Sequence, residues 1–222
     1  MKYKAVIFDM DGTIIDTEPL WQESIHELLT RYDVQLNQQQ LDNLRLKTIG
    51  LSLTQTCKLL KETMQLDETL DELMEEQEAI NMQLLQKKLK FMHGFASFHQ
   101  KIATYKVKTA LATNTLQPTL QTINNILNLQ QFFGNHIYSI SDVNNCAKPD
   151  PALYLYAMKK LKVDPTTSIA IEDSTHGIRA AKKAGLFCIG FNSAKNKALL
   201  READYIIDNY DEIDVEMLLH SL

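Results

Sequence analysis

Two carboxylates, Asp9 and Asp11, stand two positions apart directly after the short apolar run Val6-Ile7-Phe8. In extended chain, side chains at i and i+2 point the same way, so both acids can face one ligand. Gly12 then permits a tight turn, and Thr13 places a hydroxyl beside it. By itself this Asp-Met-Asp-Gly-Thr pentad also fits an ordinary turn with solvated acids.

Three more groups follow in order. Thr113 and Asn114 come after Leu111-Ala112, Lys148 opens Lys-Pro-Asp-Pro, and Glu172-Asp173 come after Ile169-Ala170-Ile171. Alone, Lys148 reads as a surface lysine before a proline turn, and the acidic pair as a helix cap. All four groups lie at the end of an apolar run or just before a helix. In an open α/β sheet such strand ends converge on one crevice, which is where ligands bind.

The elements that must position these residues alternate. Residues 6–8, 107–112, 136–140, 168–171, 187–191 and 205–207 are apolar and β-prone, as buried parallel strands are. Residues 117–129, 151–161 and 176–184 have helical periodicity. The order predicts a doubly wound α/β core with right-handed crossovers. Asp150 and Pro151 suit a helix start, while Lys182, Lys183 and Gly185 suit a helix end. Residues 17–91 break the alternation, because their apolar positions recur at helical spacing: Trp21, Ile25, Leu28 and Leu29 on one face, Leu70, Leu73, Ile80 and Leu84 on another. The expected organisation is therefore a core of residues 1–16 and 92–222 with an all-helical insert at 17–91. Segments 14–17 and 90–94 would serve as hinges.

Composition narrows the partners. With 45% hydrophobic and 23% charged residues, the 222-residue chain is expected to fold as an ordinary globular protein. A net charge of -5 disfavours binding to nucleic acid or anionic membranes. The apolar run at 5–8 is too short for a signal peptide or membrane span, so a cytoplasmic location is expected. Cys57, Cys146 and Cys188 are scattered and odd in number, as free thiols in a reducing compartment are. None of the six histidines forms a metal-ligand pair, and His176 fits a helix start.

The stretches FDMDGTIIDTEPLW, LATN, KPDP and IEDSTHGIRAAKKAG, in this order and spacing, resemble the haloacid dehalogenase superfamily, in particular its phosphatases with a helical cap between the first two core motifs. The resemblance spans nearly the whole chain. It implies a Rossmann-like core in which Asp9 is the nucleophile that forms an aspartyl-phosphate and Asp11 is the general acid/base. Thr113, Asn114 and Lys148 would contact the phosphate. Mg²⁺ would be held by the Asp9 carboxylate, the Asp11 main-chain carbonyl and Asp173, with Glu172 a ligand or the partner of one. These roles agree with elementary electrostatics: a phosphate monoester repels a carboxylate nucleophile unless a hard cation and an ammonium offset the charge.

The resemblance implies a Mg²⁺-dependent phosphomonoester hydrolase for a small phosphorylated metabolite, with a sugar phosphate foremost. A monomer is expected, and a dimer is compatible with the sequence. Asp11 separates this reading from dehalogenases and from relatives that cleave carbon–phosphorus bonds. β-Phosphoglucomutase-like mutases usually carry a histidine where Trp21 stands and an arginine where Leu53 stands, so both residues weigh against a mutase. A phospho-metabolite sensor or interaction module without turnover would not need the intact acids and lysine. The cap is expected to cover the site, with residues flanking Gly50 touching the leaving group. Arg45 and Lys47 read as helix-surface charge. His93 replaces the proline that related proteins usually carry before Gly94.

Overall fold

The computed structural model describes residues 2–48, 51 and 53–221. After strand β1 (Ala5–Phe8) come helices α1 (Glu18–Arg31), α2 (Gln38–Thr48), α3 (Leu53–Met64), α4 (Leu70–Lys88) and α5 (Phe95–Thr104). Alternation then sets in with β2 (Lys108–Thr113), α6 (Gln117–Leu127), the single-turn α7 (Gln130–Phe133), β3 (Ile137–Ser139) and α8 (Ala152–Leu161). It ends with β4 (Ser168–Glu172), α9 (Thr175–Lys183), β5 (Phe187–Phe191), β6 (Tyr205–Ile207) and α10 (Val215–Ser221). The chain divides into two compact units, Met1–Asp16 with Lys90–Leu222, and Thr17–Leu89.

In the first unit the described strands form one six-stranded sheet in the order β3-β2-β1-β4-β5-β6. Every pairing is parallel, so the α/β alternation read from the sequence gives the doubly wound fold it predicts. The order runs outward in opposite directions from β1 and β4, which opens a crevice at their carboxyl ends. Two strands reach one residue further than the apolar runs suggest. Thr113 pairs with Ser139 and Glu172 with Gly190, so these polar residues are strand tips rather than the loops after them.

Side-chain alternation in β1 sorts the two faces. Ala5 and Ile7 join Ala110, Ala112 and Ala170 in a core with Leu153, Ala157 and Leu161 of α8 and Ile178 and Ala181 of α9. The strand alanines leave room for those helices to approach closely. Phe8 points to the other face and meets the rings of Phe95, Phe98 and Phe133. Phe95 is fully buried and also touches Phe91, Phe132 and Tyr210.

The segments expected as hinges are partly zipped together. The Asp16 N–H donates to the Lys90 carbonyl at 3.0 Å and the Met92 N–H to the Ile14 carbonyl at 2.9 Å, with an ion pair from Lys90 to Asp16 at 3.2 Å. Ile15 and Phe91 form an antiparallel bridge between them. This pairing draws Lys90 and Phe91 into the sheet-bearing unit, so the boundary lies between Leu89 and Lys90 rather than between 91 and 92. At α8, Asp150 accepts the Ala152 N–H at 2.8 Å, and Pro151 occupies the cap position one residue before the first turn.

In the second unit the described elements are all helices, α1 to α4. Ile25, Leu28, Leu29, Leu44, Leu60, Ile80 and Leu84 form its core, and Trp21 is half-buried at the start of the α1 stripe. A reciprocal Thr69–Glu72 capping box opens α4. Arg45 pairs with Glu18 at 3.2 Å, in keeping with helix-surface charge. Gly50 lies outside the described residues.

The aromatic cluster carries much of the first unit's packing. Replacing Phe95 by Ala is expected to cost about 3–5 kcal/mol, because a buried ring is lost among rings that cannot collapse into its place. Urea denaturation measures this, and a cost below about 1 kcal/mol would contradict the packing described.

Candidate active site

The site begins where β1 ends. The Asp9 N–H donates to the Ile171 carbonyl at 3.0 Å, which carries the β1–β4 ladder one residue further. The chain then coils tightly, with the Met10 carbonyl accepting the Thr13, Ile14 and Ile15 N–H groups at 3.2, 2.9 and 3.1 Å. Gly12 sits at φ +71°, and a Cβ there would lie 2.0 Å from Asp173 Oδ2. Only glycine allows both the left-handed turn and the approach of Asp173.

Lys148 occupies the centre. Its Nζ donates to Asp9 Oδ1 at 2.6 Å, to Glu172 Oε1 at 2.7 Å and to the Ala112 carbonyl at 2.7 Å. All three ammonium protons are thereby committed. Asp9, Lys148 and Glu172 are all buried. The Asn114 side-chain oxygen accepts the Lys148 N–H at 2.9 Å and so fixes the loop that carries the lysine.

The remaining groups are held from behind. Tyr154 Oη donates to Glu172 Oε1 at 2.6 Å. The Ser193 hydroxyl donates to Asp173 Oδ2 at 3.1 Å, and the Thr115 hydroxyl to Asp11 Oδ2 at 2.9 Å. Thr113 is buried, and its Oγ1 accepts the Thr115 N–H at 3.0 Å. Ser174 caps α9 by accepting the Gly177 N–H at 3.0 Å. Gly177 is required beside Glu172, since a Cβ there would fall 1.9 Å from Oε2.

The cluster is strongly acidic and lies largely away from solvent. Burial, and then the Asp9 charge, push Glu172 up to about 7 against the pull of Lys148. Burial, with Asp9 and Glu172, holds Asp173 well above the usual carboxylate range, although the Ser193 bond works the other way. Burial opposes the Lys148 ammonium, but the Asp9 and Glu172 carboxylates outweigh it and raise its pKa. One ammonium thus faces several carboxylates in a desolvated place. Asp9, Glu172 and Asp173 each offer an oxygen within 4.8 Å of the others. An all-oxygen donor set with negative charge in excess fits a hard divalent cation such as Mg²⁺.

The structure therefore brings Asp9, Lys148, Glu172 and Asp173 into one crevice, with Asp11 and Thr113 both tied to Thr115 at its side. Asn114 is committed through its oxygen to the Lys148 loop. Glu172 Oε1 is shared by Lys148 and Tyr154, which makes Glu172 a partner of the lysine. Three supporting residues, Thr115, Tyr154 and Ser193, escape the motif reading. Ser193 stands two residues past β5, so the strand-end rule applied to that strand would have found it; no spacing signal marks Tyr154. His176 is exposed at the start of α9, as expected of a helix-start residue. The cysteines are free thiols, with Cys57 and Cys188 buried and Cys146 exposed. No helix among the described residues is long and apolar enough to cross a membrane.

The chain is similar to known proteins along most of its length. Residues 6–191 match the family model described as haloacid dehalogenase-like hydrolase. The chain is 29% identical over 183 residues to the phosphorylated carbohydrates phosphatase of Thermotoga maritima, covering 82% of each chain. It is 27% identical over 227 residues to the beta-phosphoglucomutase of Bacillus subtilis, covering 97% of this chain and 93% of that one. The crystal structure of a HAD hydrolase, family IA, variant 3, from Entamoeba histolytica superposes with a TM-score of 0.81 at 25% identity, covering 97% of both chains.

The acidic cluster leaves a pH signature. A carboxyl whose folded-state pKa exceeds its unfolded value of about 4.3 gains a proton on folding. The contribution of Glu172 is therefore complete below about 4.3 and is lost as pH rises through about 7. His99, lowered by burial, acts oppositely over part of this range and cancels in the comparison with Glu172→Gln, which reads Glu172 together with its influence on Asp173. Without divalent cations, the stability of the wild type relative to Glu172→Gln is expected to fall from pH 5 to pH 8 in urea denaturation. A difference that stays flat or grows would contradict the assignment.

Proposed function

This chain belongs to the haloacid dehalogenase-like hydrolase family and is a hydrolase of phosphoric monoesters, and from that premise we propose a Mg²⁺-dependent phosphatase that acts on a small sugar phosphate through an aspartyl-phosphate at Asp9. The observation that carries the reading is the 2.6 Å contact between the Lys148 ammonium and the Asp9 carboxylate, beside the three-acid cluster at the switch point of the sheet. A carboxylate so placed is paired with a cation at the strand end, where a nucleophile is needed.

The Asp9 and Asp173 carboxylates and the Asp11 main-chain carbonyl would hold Mg²⁺, which when bound supplies positive charge to the phosphoryl oxygens and lowers the repulsion between substrate and nucleophile. Asp9 then attacks phosphorus as the ester oxygen leaves. Asp11, oriented by Thr115, protonates that oxygen and later takes a proton from the water that attacks the aspartyl-phosphate. Thr113 and neighbouring N–H groups bind the equatorial oxygens while phosphorus is transferred. Lys148 offsets charge throughout and can exchange one protein acceptor for a phosphoryl oxygen. Glu172 keeps the lysine in place.

Likeness to the Thermotoga maritima phosphatase of phosphorylated carbohydrates supports a sugar-phosphate substrate. Likeness to the Bacillus subtilis beta-phosphoglucomutase supports a second reading, phosphoryl transfer between positions of a sugar. Trp21 and Leu53 favour hydrolysis over that alternative. A sensor without turnover would have no use for a lysine and acids arranged this way. The net charge of -5 supports action on a free metabolite, away from nucleic acid and membranes. We place the enzyme in the cytoplasm as a monomer.

Phosphate release from a panel of sugar phosphates, with and without Mg²⁺, tests the reading. Hydrolysis that needs Mg²⁺ is expected, and hydrolysis unchanged after chelation would contradict it. Asp9→Asn should lower kcat about 10³-fold or more, since it removes the attacking group; retained turnover would exclude Asp9 as nucleophile. Asp173→Ala should raise the Mg²⁺ concentration for half-maximal activity about tenfold or more, and an unaltered titration would remove Asp173 from the cation site.

A further inference from the structure

Tyr154 lies on α8 and is fully buried. A phenol buried this deeply usually finds a hydrogen-bond partner, and here the partner is a charged oxygen already in use. Tyr154 Oη and Lys148 Nζ converge on the same atom, Glu172 Oε1, at 2.6 and 2.7 Å. The Tyr154 ring also lies under the lysine, with Nζ 5.0 Å from its centroid. The one side chain therefore meets the ammonium with its π face and the ammonium's counter-ion with its hydroxyl.

We propose that Tyr154 is a positioning residue that holds the Glu172 carboxylate in the one orientation that presents Lys148 to Asp9. Glu172 is fully buried, and among the described residues its other oxygen accepts only the longer contact from the Ser174 hydroxyl, at 3.4 Å. Without the phenol hydroxyl, Oε1 keeps the Lys148 ammonium but loses one of its two donors, so the carboxylate is held less firmly about its last bond. The ammonium then follows the carboxylate, because two of its three acceptors are Asp9 and Glu172 and only the Ala112 carbonyl is fixed in the backbone. Gly177 fits the same role: an alanine there would force Glu172 aside. Tyr154 touches none of the reacting atoms and acts through Glu172 and Lys148.

The inference rests on phosphoryl transfer at Asp9, so its test has an arm that does not depend on turnover. In Tyr154→Phe the ring is kept and only the hydroxyl goes. Against an aryl phosphate with saturating Mg²⁺, kcat is expected to fall roughly tenfold while KM moves less than about twofold, as expected for loss of one hydrogen bond to a charged group. Because the two residues act in series, adding Tyr154→Phe to Glu172→Gln should cause no further loss. The independent arm is the lysine ¹⁵Nζ spectrum of the full chain, in which the slowly exchanging signal missing from Lys148→Met reports the buried ammonium. That signal should exchange faster in Tyr154→Phe and also in Glu172→Gln, which serves if the first variant fails to fold. A folded Tyr154→Phe with wild-type kcat, or unchanged ammonium exchange in either variant, overturns the proposal. A wild type with a protected Lys148 signal but no phosphatase activity would instead overturn the proposed function and leave the positioning role standing.

Discussion

A single ammonium group organises this site. Lys148 Nζ is buried and spends its three protons on Asp9, Glu172 and the Ala112 carbonyl. Burying a charge costs several kcal/mol unless it is paired and hydrogen-bonded, so each acceptor must be held where the lysine can reach it. That requirement explains much of the surrounding structure. Asp9 and Glu172 come from the adjacent central strands β1 and β4, Ala112 from β2 on the other side of β1, and the lysine from the loop before α8. Asn114 fixes that loop from β2. Each acceptor is thus on or at the tip of a rigid strand, where precision is greater than on loops.

The fold provides this convergence because strand order reverses between β1 and β4. Parallel strands all point their carboxyl ends to one edge, and the reversal parts the connections there. Burial, and then the charges of neighbouring acids, raise Glu172 and Asp173 at that edge. One lysine leaves negative charge in excess. The site is therefore built at some expense of stability, a pattern common at functional sites where pKa values are strongly perturbed.

Much of the architecture was legible in the sequence because its causes are local. Short apolar runs gave the strands, helical periodicity gave the intervening helices, and the block without strands gave a helical segment. Strand tips were harder, since Thr113 and Glu172 are polar yet remain in the ladder; hydropathy sees the side chain, and pairing is decided by the backbone. The principal groups, Asp9, Lys148, Glu172 and Asp173, could be read because each follows or adjoins a recognisable element. Ser193 was within reach of the same strand-end rule, but Thr115 and Tyr154 were not, because their importance comes from tertiary neighbours: Tyr154 meets Glu172 eighteen positions away. The zipped crossings between Ile14, Asp16, Lys90 and Met92 were hidden for the same reason, being long-range backbone bonds with no side-chain signature.

The central claim is that Asp9 itself receives the phosphoryl group. Its direct test is to mix the enzyme with Mg²⁺ and a sugar phosphate, quench in acid within the first turnover, and map phosphorylated peptides by mass spectrometry. The account predicts a phosphoryl group on the carboxylate of Asp9 and on no other residue. A fully active enzyme that shows no covalent phosphate at any quench time, or carries it on a different side chain, would contradict it.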